Sequence, residues 1–280
     1  MPEGPELRHS RDKLRNIIVN KFVTKLFPST SGRYRSKNPE GLSLITRDLP
    51  LKIESVDTKG KFMWWTLKGN KTWYVWSTYG MSGQWSLSSD KHVGFIVEFN
   101  GSGNIVGPDQ QKLFFNDQRR FGTIRFIADS KIHQKKLASL GPDILENPPP
   151  DSELFAKRIL LKPNRTISEA LMDQSCVSGV GNYLRAEILY DCKMDPWRNV
   201  SEITSEEYVR LCKATVKISK DSYKSQGASI KTYRNVDGSQ GATQFNFKAY
   251  GCETCPSGHE ITRKQDGNGR TMHWCTLCQR

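Results

Sequence analysis

At 280 residues the chain has room for one large domain or two smaller ones with cores of their own, and two is the better expectation. Lysine and arginine number 42 against 29 aspartate and glutamate, a net charge of +13 with a pI near 9.4, so polyanions, and nucleic acid first among them, are the expected partners. The opening MPEGPELRHSRDKLRNIIVN is too charged to serve as a signal peptide and no run approaches the length of a membrane span, which points to a soluble, intracellular, DNA-associated protein in nucleus, cytoplasm or nucleoid, with no membrane role.

In chain order, PELRHSRDKLRNIIVN sets Leu7, Leu14, Ile17 and Ile18 on one stripe and predicts a helix starting near residue 4. From about residue 50 the pattern becomes short aromatic and β-branched runs, FMWWTL, TWYVWS, GFIVEF, KLFF and GTIRFI, separated by Gly, Asn, Asp and Ser. These predict an antiparallel β domain, a sandwich or a barrel, over 1–130. Residues 131–150, ending in the prolines of ENPPPDSE, read as a linker, because Pro148, Pro149 and Pro150 continue neither helix nor strand. Helical periodicity then runs through ELFAKRILL, TISEALMDQ, NYLRAEILY and TSEEYVRLCKATVKISKDSY, giving a helical domain over 151–247. Inside it, 225–244 is rich in Gly, Ser, Gln and Asn and reads as a mobile loop.

The last segment, 248–280, carries CETC and CTLC in the spacing C-x2-C-x19-C-x2-C. Each pair sets two thiolates on a tight turn, and the four ligands Cys252, Cys255, Cys275 and Cys278 suit one tetrahedral zinc in a closed, structural site. Cys176, Cys192 and Cys212 are scattered, and an odd total in a reducing compartment favours metal ligation plus free thiols over disulfides. Between the pairs, HEITRKQDGNGRTMHW predicts two short strands around DGNG, a basic hairpin of a size that enters a nucleic-acid groove.

Two further stretches carry chemistry. DQSCVSGVGNYLRAEIL is a turn between helices in which Gly179 and Gly181 permit close backbone approach and Asn182 opens the next helix, leaving N–H groups for a phosphate. It lacks the third glycine of a dinucleotide fingerprint and no strand precedes it, so a dinucleotide fold is excluded. At the N-terminus, loss of Met1 would leave Pro2 as an α-amine. With a pKa of about 7.7–8.0 against about 10.4 for lysine, an ordinary α-amine is on the order of 10 % unprotonated at pH 7. Proline's secondary amine sits somewhat higher, yet remains a ready nucleophile toward a sugar aldehyde carbon, with a nearby carboxylate to move protons.

With these stretches in place, the sequence resembles the Fpg/Nei family of bifunctional DNA glycosylase/AP lyases, formamidopyrimidine-DNA glycosylase and endonuclease VIII. The resemblance runs through MPEGPELR, DTKGKFMWW, YGMSGQW, NDQRRFGT, LGPD, SGVGNYLRAEIL and the finger with GRTMHWC, in the family's order over nearly the whole chain. It implies that Pro2 attacks C1′ of the damaged nucleotide, that Glu3 is the general acid/base and that Glu6 supports them. Lys61 corresponds to a lysine that contacts DNA beside the lesion and assists catalysis; Lys59 competes for that place, but only Lys61 has the Gly-Lys-apolar context. Met81, Arg119 and Phe121 correspond to the set that fills the gap left by an extruded base, whereas spacing alone would make Met81 and Phe121 core residues. Asn182 and Arg270 correspond to phosphate-gripping residues of the helix–two-turn–helix motif and the finger.

The implied fold is α+β, an N-terminal helix with an antiparallel β-sandwich or barrel, then a helix–two-turn–helix domain ending in a four-cysteine zinc β-hairpin. The implied function is removal of oxidised bases from damaged DNA, duplex first and single-stranded as a further form, through a Schiff base at Pro2 and β,δ-elimination by a monomer. PEGPELR is closer to the endonuclease VIII branch, which favours oxidised pyrimidines and hydantoins. GMSG and RRFG are closer to the other branch, which favours formamidopyrimidines and 8-oxoguanine, and loop 225–244, read as the cover over the flipped base, would decide. The reading from another class, a non-catalytic zinc-finger DNA-binding protein, explains the charge and the finger but leaves Pro2, Glu3 and Lys61 without a role.

Overall fold

A computed structural model describes residues 2–30, 32–105, 108–225, 236 and 245–280. The chain divides into two compact units, one formed by Pro2, Glu6–Ala138 and Val236, the other by Glu3–Pro5, residues 139–225 and residues 245–280.

In the first unit, α1 (Gly4–Ile18) contributes from Glu6 onward and buries Leu7, Leu14 and Ile18 as its heptad-like spacing requires. It is followed by β1 (Phe22–Pro28), the short α2 (Leu42–Ile45), β2 (Leu51–Lys59), β3 (Phe62–Lys68), β4 (Thr72–Thr78), β5 (Gly83–Ser86), β6 (Val93–Asn100), β7 (Gln111–Asp117) and β8 (Thr123–Ile127). The eight strands pair antiparallel in the order β5-β7-β6-β1-β2-β3-β4-β8. Among the described residues β5 and β8 stand at the two ends of that order, so the sheet is not a closed barrel. Register shifts after Val23, Ile53 and Val93 bend the strands around one core. That core joins Trp65, Trp73, Trp85, Phe95, Phe99 and Phe115 to the apolar stripe of α1.

Strands β1, β2 and β5 are not among the predicted runs; in β1, FVTKLFP interrupts its apolar residues with Thr24 and Lys25, and Lys25 is exposed while its neighbours are buried or half-buried. The span 131–150, expected to be linker throughout, opens with a helix, α3 (Ser130–Ala138). SKIHQKKLA has no apolar stripe to announce it. It docks instead through buried His133, whose ring stacks on Tyr74 at 3.9 Å and whose Nδ1 accepts the indole N–H of Trp76 at 3.0 Å.

The second unit contains α4 (Ser152–Leu160), α5 (Ile167–Met172), α6 (Asn182–Asp191), a single 3-10 turn at Val200–Glu202 and α7 (Ser205–Lys224), then the hairpin β9 (Thr262–Gln265) and β10 (Thr271–Trp274) around DGNG. Helix starts follow side-chain capping: Asp151 accepts from the N–H of Leu154, and Thr166/Glu169 and Thr204/Glu207 form capping boxes. Helix α6 is different, buried from Tyr183 to Leu189 on every side and capped by no side chain of its own N-cap residue, Gly181. Its cap comes from elsewhere in the chain.

Candidate active site

That cap is Glu3. Its carboxylate is 1 % exposed and accepts the backbone N–H groups of Gly181 at 2.7 Å, Tyr183 at 2.9 Å and Leu184 at 3.3 Å. The N–H groups that the Gly-Val-Gly-Asn turn was expected to offer to a phosphate are therefore taken by a carboxylate of the same chain. The physics is the anticipated one, an anion at a helix N-terminus, with a different anion. Backbone follows the same path: Gly4 N–H donates to the carbonyl of Gly179 at 2.9 Å. A Cβ on Gly181 would lie 2.2 Å from the Glu3 carboxyl carbon, so glycine is required here for room, while Gly179 is required for its φ of 113°. Pro2 is buried in the first unit, and Glu6 in the first turn of α1 is fully buried.

Lys61 is half-buried in the two-residue turn between β2 and β3, where Gly60 takes a φ of 56° and Lys59 pairs with Phe62. Lys59, the competing lysine, donates its ammonium to the carbonyl of Leu137 at 3.1 Å and is thereby tied to the end of α3.

Met81, Arg119 and Phe121 come together in the first unit. Met81 is 37 % exposed and Phe121 58 % exposed, which removes core packing as their explanation. The Arg119 guanidinium lies 3.4 Å from the Met81 sulfur. Two adjacent tight turns thus present a thioether, a guanidinium and an aromatic ring outward.

In the second unit Asn182 and Arg270 share a network that sequence reading did not find. Arg185, with no exposed side-chain surface, pairs with Asp266, donates to Ser168 Oγ at 3.0 Å and also to the Asn182 side-chain oxygen. The Asn182 amide donates in turn to the Thr271 carbonyl at 2.9 Å. Asp266 accepts the N–H groups of Asn268 and Arg270 at 2.9 Å each, so it shapes the DGNG turn that carries exposed Arg270. Burial alone would raise the Asp266 carboxyl, but the Arg185 guanidinium and these N–H donors hold it below the ordinary range. A second buried charge on α6, Glu187, accepts from the N–H groups of Lys248, Ala249 and Tyr250 at 2.8–3.0 Å and fixes where the finger segment begins. Within NYLRAEIL these two charges break an otherwise apolar pattern, which was the available signal.

The finger departs from the expected ligand set. Cys255, Cys275 and Cys278 are gathered with His259, their donor atoms all within 4.8 Å of one another, and Cys252 is outside the group. Cys252 Sγ instead lies 3.4 Å from the Phe247 carbonyl. The cause is the turn PSGH: Gly258, with φ of 80°, donates to the Cys255 carbonyl and Cys255 N–H to the His259 carbonyl, which folds the imidazole back beside the thiol. His259 Nδ1 is 3.2 Å from Cys278 Sγ and 3.7 Å from Cys275 Sγ, and Cys255 and Cys278 sulfurs are 3.9 Å apart. The sulfur–sulfur separation is close to the edge, about 3.8 Å, of a tetrahedron with metal–sulfur bonds of about 2.3 Å. Although burial works against it, backbone N–H groups of His259 and Ser257 pull the Cys255 thiol down to about 6, toward the thiolate a metal takes. The sequence thus offers C-x3-H-x15-C-x2-C beside the pair of C-x2-C motifs.

Of the loop 225–244, only Ser225, which follows α7, and Val236 fall among the described residues; the remainder lies outside them. Val236 is buried, and its carbonyl accepts from Leu87 N–H at 3.1 Å.

One unit thus holds a carboxylate-capped helix–turn–helix and the other an antiparallel sheet with Met81, Arg119 and Phe121 on exposed turns. Residues 1–124 match the family model described as the formamidopyrimidine-DNA glycosylase N-terminal domain, and residues 140–234 match that of the formamidopyrimidine-DNA glycosylase H2TH domain. The chain belongs to the formamidopyrimidine-DNA glycosylase family. It is 30 % identical to the formamidopyrimidine-DNA glycosylase of Bacillus cereus, over all of this chain and 99 % of that one. Among solved structures, MutM (Fpg) from Thermus thermophilus superposes with a TM-score of 0.83 at 27 % identity, covering 99 % of this chain and 98 % of that one. Lactococcus lactis Fpg shares the fold. A mutant of it bound to DNA containing Fapy-dG gives a TM-score of 0.84 at 24 % identity, and the wild-type protein bound to DNA containing an oxidized pyrimidine gives 0.82 at 23 %, both with full coverage of both chains.

Proposed function

We propose that this chain excises oxidised bases from DNA and cleaves the strand at the resulting site, through a Schiff base at Pro2. The observation that carries the reading is the caging of Glu3 by three N–H groups, those of Gly181 and of Tyr183 and Leu184 in α6, in a space that only glycine at position 181 leaves open. An inert terminus has no need of such a fixture. Once Met1 is removed, the Pro2 amine attacks C1′ of the damaged nucleotide and the base departs with its bonding electrons and a proton. The C1′–O4′ bond then breaks, the ring oxygen taking up a proton, and the resulting iminium at C1′ acidifies C2′; loss of that proton expels the 3′ phosphate, and a second elimination expels the 5′ phosphate. Glu3 moves protons in these steps, Glu6 supports the pair, and Lys61 contacts DNA at the lesion. Asn182 and Arg270 grip phosphates, and Met81, Arg119 and Phe121 fill the space of the flipped base.

One zinc, held by Cys255, His259, Cys275 and Cys278, would leave no position open for chemistry and would serve to lock the hairpin that carries Arg270. The partner is damaged duplex DNA, met by a monomer. For the lesion, the opening PEGPELR supports oxidised pyrimidines and hydantoins as the first choice. Formamidopyrimidines and 8-oxoguanine form the second reading, favoured by GMSG and RRFG and by the name of the Bacillus cereus relative.

Nicking assays on oligonucleotides carrying each lesion, in duplex and single-stranded form, test both parts. Excision of thymine glycol and hydantoins ahead of 8-oxoguanine is the expected order, with products ending in phosphate on both sides of the gap. Base release without strand cleavage would refute the lyase, and an inverted order would select the second substrate reading.

A further inference from the structure

The three wedge residues sit on two short turns, and one buried side chain ties those turns together. Asp117, at the end of β7, is 5 % exposed. One of its carboxylate oxygens accepts from Ser82 Oγ at 2.6 Å, on the turn that carries Met81. The other accepts from Gly122 N–H at 2.6 Å, on the turn that carries Arg119 and Phe121. Ser82 closes the loop, because the same hydroxyl oxygen accepts Arg119 N–H at 2.8 Å. Arg120 N–H returns to the Asp117 carbonyl at 3.3 Å, and Arg120 takes a φ of 59°, a conformation disfavoured for a residue with a Cβ. Its carbonyl is held by the guanidinium of Arg33 at 3.2 Å. The two turns also touch directly, since a Cβ on Gly80 would lie 2.8 Å from the Phe121 backbone.

Side chains that enter a stacked duplex must displace a base and fill its place, and every residue that has first to be ordered subtracts from that effort. Exposed turns are ordinarily mobile. Here a charged acceptor with both oxygens engaged fixes them in advance, and charge-assisted bonds to backbone N–H and hydroxyl are roughly twice as strong as neutral ones. We propose that Asp117, acting with Ser82, is a positioning residue for base extrusion: it holds the Met81 and Arg119/Phe121 turns as one preformed wedge. This rests on the reading of the chain as a base-flipping glycosylase that forms a Schiff base, and its effect is confined to the step in which an intact nucleotide leaves the stack. At a preformed abasic site there is no base to extrude, and the wedge matters little.

The test compares two reactions of the full-length protein. Ser82→Ala removes one donor to Asp117 and the acceptor of Arg119 N–H from a half-buried position; Asp117→Ala removes the whole clamp. Single-turnover excision from a lesion-bearing duplex is expected to fall about ten-fold or more for Ser82→Ala and further for Asp117→Ala. Borohydride trapping of Ser82→Ala on a duplex with a preformed abasic site is expected to stay within about two-fold of the parent. Ser82→Thr, which restores the hydroxyl, should recover excision, and 2-aminopurine opposite the lesion should show slower fluorescence gain in Ser82→Ala and Asp117→Ala but not in Ser82→Thr. Unchanged excision in Ser82→Ala, or excision and trapping falling together, would overturn the clamp. Absence of trapping by the parent protein would instead overturn the Schiff-base reading, and the clamp with it.

Discussion

A methyl group on Gly181 would occupy the volume of the Glu3 carboxyl, 2.2 Å from its carbon, so Glu3 and the turn that holds it cannot be varied independently. Gly181→Ala is expected to lower both excision and trapping by about 100-fold, since misplacement by about 1 Å is enough for that. Measurement of both rates on one abasic and one lesion duplex checks it; a loss of excision alone would detach Glu3 from the lyase steps. The Arg185–Asp266 pair sets a different expectation. With both side chains buried, Asp266→Ala strands a guanidinium and should cost about 3–5 kcal/mol in chemical denaturation. The roles proposed for Pro2, Glu3 and Asn182 rest on residue type and position in a motif, which a sequence displays directly. The contacts of Asp117, Arg185 and His259 were not legible, since their partners lie 35, 81 or 16–19 residues away and only folding brings them near.

Among the elements, α7 begins with a capping box in which Glu207 also takes a bidentate ion pair from Arg198 at 2.7 and 2.9 Å. That guanidinium holds the carboxyl down at about 2, against an ordinary value of 4.5. The pair therefore contributes fully above about pH 4.5, and its contribution is lost as pH falls through about 2. Thermal melts of the parent and Glu207→Gln between pH 7 and pH 2.5 should differ most at pH 7 and converge in acid; a constant difference would place the stabilisation elsewhere. In the finger, chelation should remove one zinc per chain and unfold the hairpin. Cobalt substitution separates the ligand sets: Cys252→Ser should keep full metal binding and the spectrum of three sulfurs and one nitrogen, while His259→Ala should lose or shift it. The reverse result would restore Cys252 as a ligand. The aromatic strands β3, β4, β6, β7 and β8 and the longer helices were read from periodicity, but α3 was not, because it is held by a stacked imidazole and an indole N–H in place of an apolar stripe.

For the whole molecule, the charge of +13 points to a polyanionic partner, and the α+β fold followed from an aromatic β segment succeeded by helical periodicity. What composition did not reveal is how much of the basic excess is engaged internally: Arg15, Arg125, Arg165 and Arg198 each pair with a carboxylate, and Arg185 is wholly buried. The remaining cations, Arg270 among them, should make binding steeply salt-dependent. Arg270→Ala should flatten the slope of log K against log salt by about one, equally for lesion and undamaged duplexes. A change confined to lesion DNA would make Arg270 a lesion reader instead of a phosphate grip. The central claim is covalent and can be read covalently. Protein reduced with borohydride on an abasic duplex, digested and sequenced by mass spectrometry, should carry the sugar remnant on the nitrogen of Pro2 and nowhere else. A remnant on Lys61 or any other lysine, with Pro2 unmodified, would contradict the account.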